Sequence, residues 1–221
     1  MIAPTSSSEF VAAMEEVLEV YHRAPDPARP LVCLDECTKQ LTRTVRPPLA
    51  AAPGRPARED YEYERGGVAA IFCAVAPHLG WRLIEAREQK TRRDYAHFLR
   101  ALAEVHFPRA EKIVLVQDNL NTHSAASLYE TFAPAEAARL KARFEFHFSP
   151  KHGSWMNIAE IELSVLSRAC LARRIPDRAT LAAALAAWQR QRNQSATPIR
   201  WHFTTADARI KLRKLYPSLH D

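Results

Sequence analysis

The polar and apolar positions of the chain fall into short blocks whose period changes along its length. Phe10, Met14, Val17, Leu18 and Tyr21 recur at helical spacing, and Ser6 with Glu9 has capping-box order, so an amphipathic helix is predicted first. Pro25, Pro27 and Pro30 end it, because each removes a backbone donor and fixes φ. "LVCLDECT" from Leu31 reads as a buried strand, and "RPPLAAAPGRPARED" as a long proline-rich loop carrying Arg46, Arg55 and Arg58. Two apolar runs follow, "GGVAAIFCAVAP" and "GWRLIEARE", joined through "PHLG", which has hairpin length and turn residues. With the first strand they predict an antiparallel meander.

Tyr95, Phe98, Leu99 and Leu102 then predict a helix that leads into the strand "KIVLVQDN". A helical pair follows, "AASLYETF" and "PAEAARLKARF", the second opened by Pro134 at a favoured first position. "FEFHFSP" is a strand and "MNIAEIELSVLSRACLARR" a helix. Three strands followed by alternating helices and strands predict a mixed α/β sheet flanked by helices. The chain divides into an N-terminal helix and proline-rich linker over residues 1–30, an α/β unit over 31–175 and a basic helical extension over 176–221.

A chain of 221 residues with 47% hydrophobic content can bury one substantial core. Its longest apolar run, Val68 to Ala76, is far short of the ~20 residues that span a bilayer. No basic segment leads into an apolar one at the start, so a cytoplasmic location is expected. Cys33, Cys37, Cys73 and Cys170 lie in apolar segments without zinc-site spacing and read as buried free thiols. The net charge of +6 suggests a polyanionic partner. Its distribution sharpens the point, since residues 163–214 hold eleven Lys or Arg against only Asp177 and Asp207. A solvated basic surface is the plainer alternative.

Strand alternation puts Asp35 and Glu36 on opposite faces, so only one of them is expected to serve a given site, and Asp35 is preferred. Asp118 emerges from the apolar run "IVLVQ", at the strand end where α/β sheets place their ligands. Capping of the next helix is its other reading, although Asn119 and Asn121 can cap equally well. On the helix after Trp155, Glu160 and Glu162 lie about 200° apart at 100° per residue. Glu160 shares its face with Asn157, Ser164 and Ser167, whereas Glu162 lies among Ile158, Val165, Leu166 and Ala169, and Glu160 is preferred. Three acids without a thiol or imidazole cluster suit Mg²⁺ or Mn²⁺ rather than zinc. Two such ions about 3.5–4 Å apart would support in-line displacement at phosphorus.

The motifs "LDE" at Asp35, "PGRPAREDYEYERGG" from Pro53, "VQDNLNTH" at Asp118 and "FSPKHGSWMNIAEIELSVLSRACLARRI" from Phe148 resemble the bacterial insertion-sequence branch of the mariner-type DDE transposases. The resemblance covers about Leu31 to Ile175. It implies an RNase H-like five-stranded sheet with its first three strands antiparallel, two divalent metal ions, and a triad that maps onto Asp35, Asp118 and Glu160. It also implies DNA cleavage at transposon ends followed by strand transfer from the freed 3′-hydroxyl. Asn119 and His123 match the family's "DNxxxH", and Asn157 starts its "NPxE", here "NIAE" with Ile158 in place of proline. His123 is expected to orient a metal ligand, to meet a DNA phosphate, or simply to satisfy a helix start.

The resemblance further implies a helix-turn-helix region that reads the element ends. Only 30 residues precede Leu31, so that reading is expected from a missing N-terminal region or a separate subunit, with a homodimer in the synaptic complex. Arg55, Lys151, His152, Trp155, Arg173, Arg174, Lys211, Arg213 and Lys214 are the expected DNA contacts. For Trp155 core packing is the alternative. The rival functions are a noncatalytic DNA-binding or regulatory protein and a general RNase H-like nuclease.

Overall fold

A computed structural model of the chain describes residues 7–58, 60–119 and 123–217. Its centre is one sheet of β1 (Leu31–Thr44), β2 (Tyr63–Ala76), β3 (Trp81–Arg87), β4 (Ile113–Gln117) and β5 (Phe144–Phe148), in spatial order β3-β2-β1-β4-β5. β1, β2 and β3 pair antiparallel, as expected, while β4 and β5 add in parallel to β1. The helices are α1 (Ser8–Tyr21), α2 (Arg92–Ala101), α3 (Ala126–Thr131), α4 (Pro134–Ala142), α5 (Ile158–Leu166), α6 (Arg178–Ser195) and α7 (Thr205–Lys211).

All five residues of β4 are buried, which a strand attains only when helices cover both faces of the sheet. Alternation along β1 divides its side chains accordingly. Val32 and Leu34 join the cluster formed with Tyr95, Phe98 and Leu99 of α2, whereas Leu31 and Cys33 join that of α1, α5 and α6. Met14, Val17 and Leu18 of α1 pack in the same cluster as Leu181, Leu185 and Trp188 of α6. The terminal segments therefore contribute to the core that positions α5.

Three local details depart from or extend the sequence reading. Ser7 caps α1 by accepting from the Phe10 amide, and Ser6 lies outside the described residues. Cys33 and Cys73 are buried free thiols, but Cys37 and Cys170 are only half-buried. Burial pushes Cys33 up to about 12 and Cys37 up to about 11, so neither is a ready nucleophile. Finally, α6 runs along β3: Gln189 accepts from the Ile84 amide at 2.6 Å, and the Asn193 side chain both accepts from and donates to the Arg82 backbone at 2.8 Å. The turn before β3 admits this contact because Gly80, at φ 61°, lies against Ala196, where a Cβ would stand 2.3 Å from a backbone carbon.

Candidate active site

β1 and β4 run parallel with Cys33 opposite Val116, so Asp35, within β1, and Asp118, just past the end of β4, stand at the same level. α5 packs against β1, with Leu163 and Leu166 in the same core cluster as Leu31 and Cys33. Its start is tied down by Asn157, whose side chain caps the Ala159 amide at 3.1 Å and donates to the Leu34 carbonyl at 2.9 Å. Tyr21, the last residue of α1, donates from its hydroxyl to the Met156 carbonyl at 2.7 Å. These bonds deliver Glu160, in the first turn of α5, to Asp35.

Asp35 lies within the influence of the other two carboxylates. Burial pushes Asp35 up to about 7, and the charges of Asp118 and Glu160 push in the same direction, against the Glu36 amide bonded at 2.7 Å and His123. Glu160 Oε2 is buried and has no hydrogen-bond partner among the described residues. Clustered acids with an unpaired oxygen fit a cation of hard, oxygen-seeking character. Among the described residues, however, no three His, Cys, Asp or Glu side chains converge in ligand geometry. One carboxylate oxygen of Asp118, Oδ1, bonds His123.

That histidine corrects the alternation argument. Asp35 and Glu36 do occupy opposite faces of β1, yet both reach the site. His123 Nδ1 bonds Asp118 Oδ1, and its Nε2 lies 2.8 Å from Glu36 Oε1 on the α2 side of the sheet. The Tyr95 ring lies against the imidazole, centroids 4.9 Å apart and planes tilted by 31°. Burial pulls His123 down, but the bonds to Asp118 and Glu36 outweigh it and push it up to about 9. The His123 side chain is fully buried and is engaged by Asp118 and Glu36. Nor does Asp118 cap the helix that follows, since α3 begins without a side-chain cap. Asn121 lies outside the described residues.

Glu162 points elsewhere. Its side chain is 2% exposed and pairs with Arg82 at 3.0 Å and Arg192 at 3.1 Å, fastening α5 to β3 and α6. The helix-face argument thus separates the two glutamates as expected, although the partners of Glu162 were not legible in its neighbours.

Lys151 and His152 are exposed in a tight turn beside Asp118 and Asn119, with His152 at φ 66° and Gly153 donating to the Pro150 carbonyl at 2.8 Å. The polar cleft they line with Ser149 and Ser154 has a volume of about 600 Å³. Trp155 is 37% exposed and meets Phe203 edge-on rather than entering the core. Arg55, Arg173, Arg213 and Lys214 are exposed. Arg174 is engaged within the chain, donating to the Glu62 and Asp60 carbonyls, and Lys211 pairs with Asp207 at 3.2 Å.

The architecture matches solved structures of the Mos1 mariner transposase. The Mos1 strand transfer complex superposes with a TM-score of 0.61 at 12% identity, over 100% of this chain and 66% of that one. The Mos1 paired end complex with Mn gives 0.57 at 14% identity, over 97% and 64%, and the paired end complex with Mg gives 0.56 at 16% identity, over 99% and 67%. The fold is accordingly that of an RNase H-like transposase catalytic domain. Residues 30–182 match the family described as DDE superfamily endonuclease, and the chain belongs to that family. It spans 64% to 67% of the length of the Mos1 chains cited. No curated protein matches it in sequence.

Proposed function

We propose that this chain is the catalytic part of a DDE transposase of the mariner type, in its insertion-sequence branch, acting on DNA in the cytoplasm. The observation that carries the reading is the nearness of Asp118 and Glu160 to Asp35, whose charge both act on, inside the segment that matches the endonuclease family. Those three residues would hold Mg²⁺ or Mn²⁺, two ions in the full site. Bound there, the ions supply a Lewis-acidic environment that activates an attacking oxygen and stabilises the leaving one.

The protein's own residues bind and orient. Asn157 and Tyr21 keep Glu160 against Asp35, and His123 holds Asp118. Lys151, His152, Trp155 and Asn119 offer polar and aromatic contacts for a strand entering the cleft beside Asp118. The overall reaction hydrolyses a phosphodiester at each transposon end to leave a 3′-hydroxyl. That hydroxyl then attacks a target phosphodiester, forming one P–O bond as another breaks. Transposon ends and target DNA are the substrates, two chains pair in the synaptic complex, and a helix-turn-helix region or subunit reads the ends.

The test is to incubate the chain with Mn²⁺ and a labelled duplex bearing the inverted repeats that flank its gene, in wild type and as Asp118→Ala. Metal-dependent nicking by the wild type alone supports the proposal. Nicking that survives Asp118→Ala removes the triad, and binding without nicking in both favours a noncatalytic DNA-binding protein.

A further inference from the structure

We propose that Glu36 is a positioning residue of this site, acting on Asp118 through the His123 imidazole. The inference rests on Asp118 serving the site as proposed above. Val32, Leu34 and Glu36 share one face of β1, and the first two are packed in the apolar cluster under α2. An apolar residue would continue that pattern. In its place stands a carboxylate whose side chain is 1% exposed, an expensive arrangement unless the group has a task or a partner.

Its partner is His123 alone among the described residues, since Glu36 Oε2 bonds nothing there. The imidazole is held on every side. Nε2 faces Glu36 Oε1 at 2.8 Å, Nδ1 faces Asp118 Oδ1, and the tilted Tyr95 ring packs against the imidazole. Behind it, Gln117 donates to the His123 carbonyl at 3.0 Å and accepts from the Tyr95 hydroxyl at 2.8 Å. Asp118 has no such enclosure: its side chain is 25% exposed, just past the end of β4, and its described side-chain bond is to His123. A planar ring fixed at its far nitrogen presents its near nitrogen at one place and angle, and so selects one orientation of the Asp118 carboxylate. Removing Glu36 frees the ring to tilt about its Cβ bond, and the selection is lost. Outer residues that orient ligands in this manner typically change metal affinity or activity by about 10–100-fold.

The experiment uses the full chain and Mn²⁺ alone, with affinity read by titration calorimetry and the Asp118 carboxyl followed by ¹³C chemical shift, assigned through Asp118→Asn. Glu36→Ala is expected to weaken Mn²⁺ binding about tenfold or more and to move the Asp118 resonance. Glu36→Gln, which keeps an oxygen acceptor for Nε2–H, is expected to restore both. His123→Ala should match the double variant Glu36→Ala/His123→Ala, because the two residues act in series. Glu36→Met, similar in length but without an acceptor, replaces Glu36→Ala if that variant does not fold. An unmoved Asp118 resonance in the acceptor-less variant, or losses that multiply in the double variant, overturns the inference. If the wild type binds no Mn²⁺, the proposed function fails, and the Asp118 resonance alone decides the role of Glu36.

Discussion

The side-chain amide of Asn157 donates to the Leu34 carbonyl at 2.9 Å, joining the start of the helix that bears Glu160 to the residue before Asp35. One amide thereby spans 123 positions of sequence and fixes the separation of two carboxylates. The same residue caps α5 with its oxygen, so the helix start and the strand end are registered by a single side chain.

Asn157→Ala removes the cap and leaves a buried carbonyl without its donor, and is expected to cost about 2 kcal/mol. Asn157→Asp keeps the cap but not the donor and should fall between. Urea unfolding measures both; an unchanged midpoint for Asn157→Ala would show that α5 is held by other means.

Glu160 and Glu162 should separate function from stability. Glu160→Gln relieves repulsion on Asp35, so nicking is expected to vanish while the melting temperature stays level or rises. Glu162→Ala strands Arg82, which is 1% exposed, and is expected to cost about 3–5 kcal/mol. A folded, inactive Glu162→Gln beside an active Glu160→Gln would reverse the assignment.

Acid should loosen the junction between the linker and β5. Arg23 bonding holds Glu145 down to about 2, with His147 and Arg29 helping and burial opposing. A lowered folded-state value means the contribution is present above the unfolded value of about 4.3 and is lost as pH falls toward 2. The melting-temperature gap between wild type and Glu145→Gln should therefore be open at about pH 6, narrow below about pH 4.3 and close only as pH falls through about 2. A gap independent of pH would remove Glu145 from the linkage.

If the exposed cations contact phosphates, affinity for DNA should fall steeply with salt, by about 0.9 in log–log slope per phosphate neutralised. Replacing Arg213 and Lys214 together should reduce the slope by about 2, whereas replacing Arg174, already spent on the Asp60 and Glu62 carbonyls, should act mainly on the loop. Equal slopes before and after the double replacement would put the DNA on another face.

The sequence made the sheet legible because its signals are local: alternation in β1, the unbroken apolar run of β4 and the helical period of α5. It also separated Glu160 from Glu162 by angle. What it missed depends on contacts distant in the chain. Glu36 and His123 meet across 87 positions, and the alternation rule, true of one strand, says nothing of a loop returning on the opposite face. A carboxylate interrupting the apolar face of Val32 and Leu34 was the available signal. Likewise no local signal marks Gln189 and Asn193 of α6, whose side chains bond the backbone of β3.

That last contact separates what is recognisable from what can fold. The family match stops at residue 182, only a turn into α6, and both Gln189 and Asn193 lie beyond it. A fragment trimmed to the match would leave β3 as a bare edge, with the Arg82 and Ile84 amides open to pairing with another molecule. The unit in which the polar groups of β3 are satisfied is therefore longer than the segment that carries the family signature.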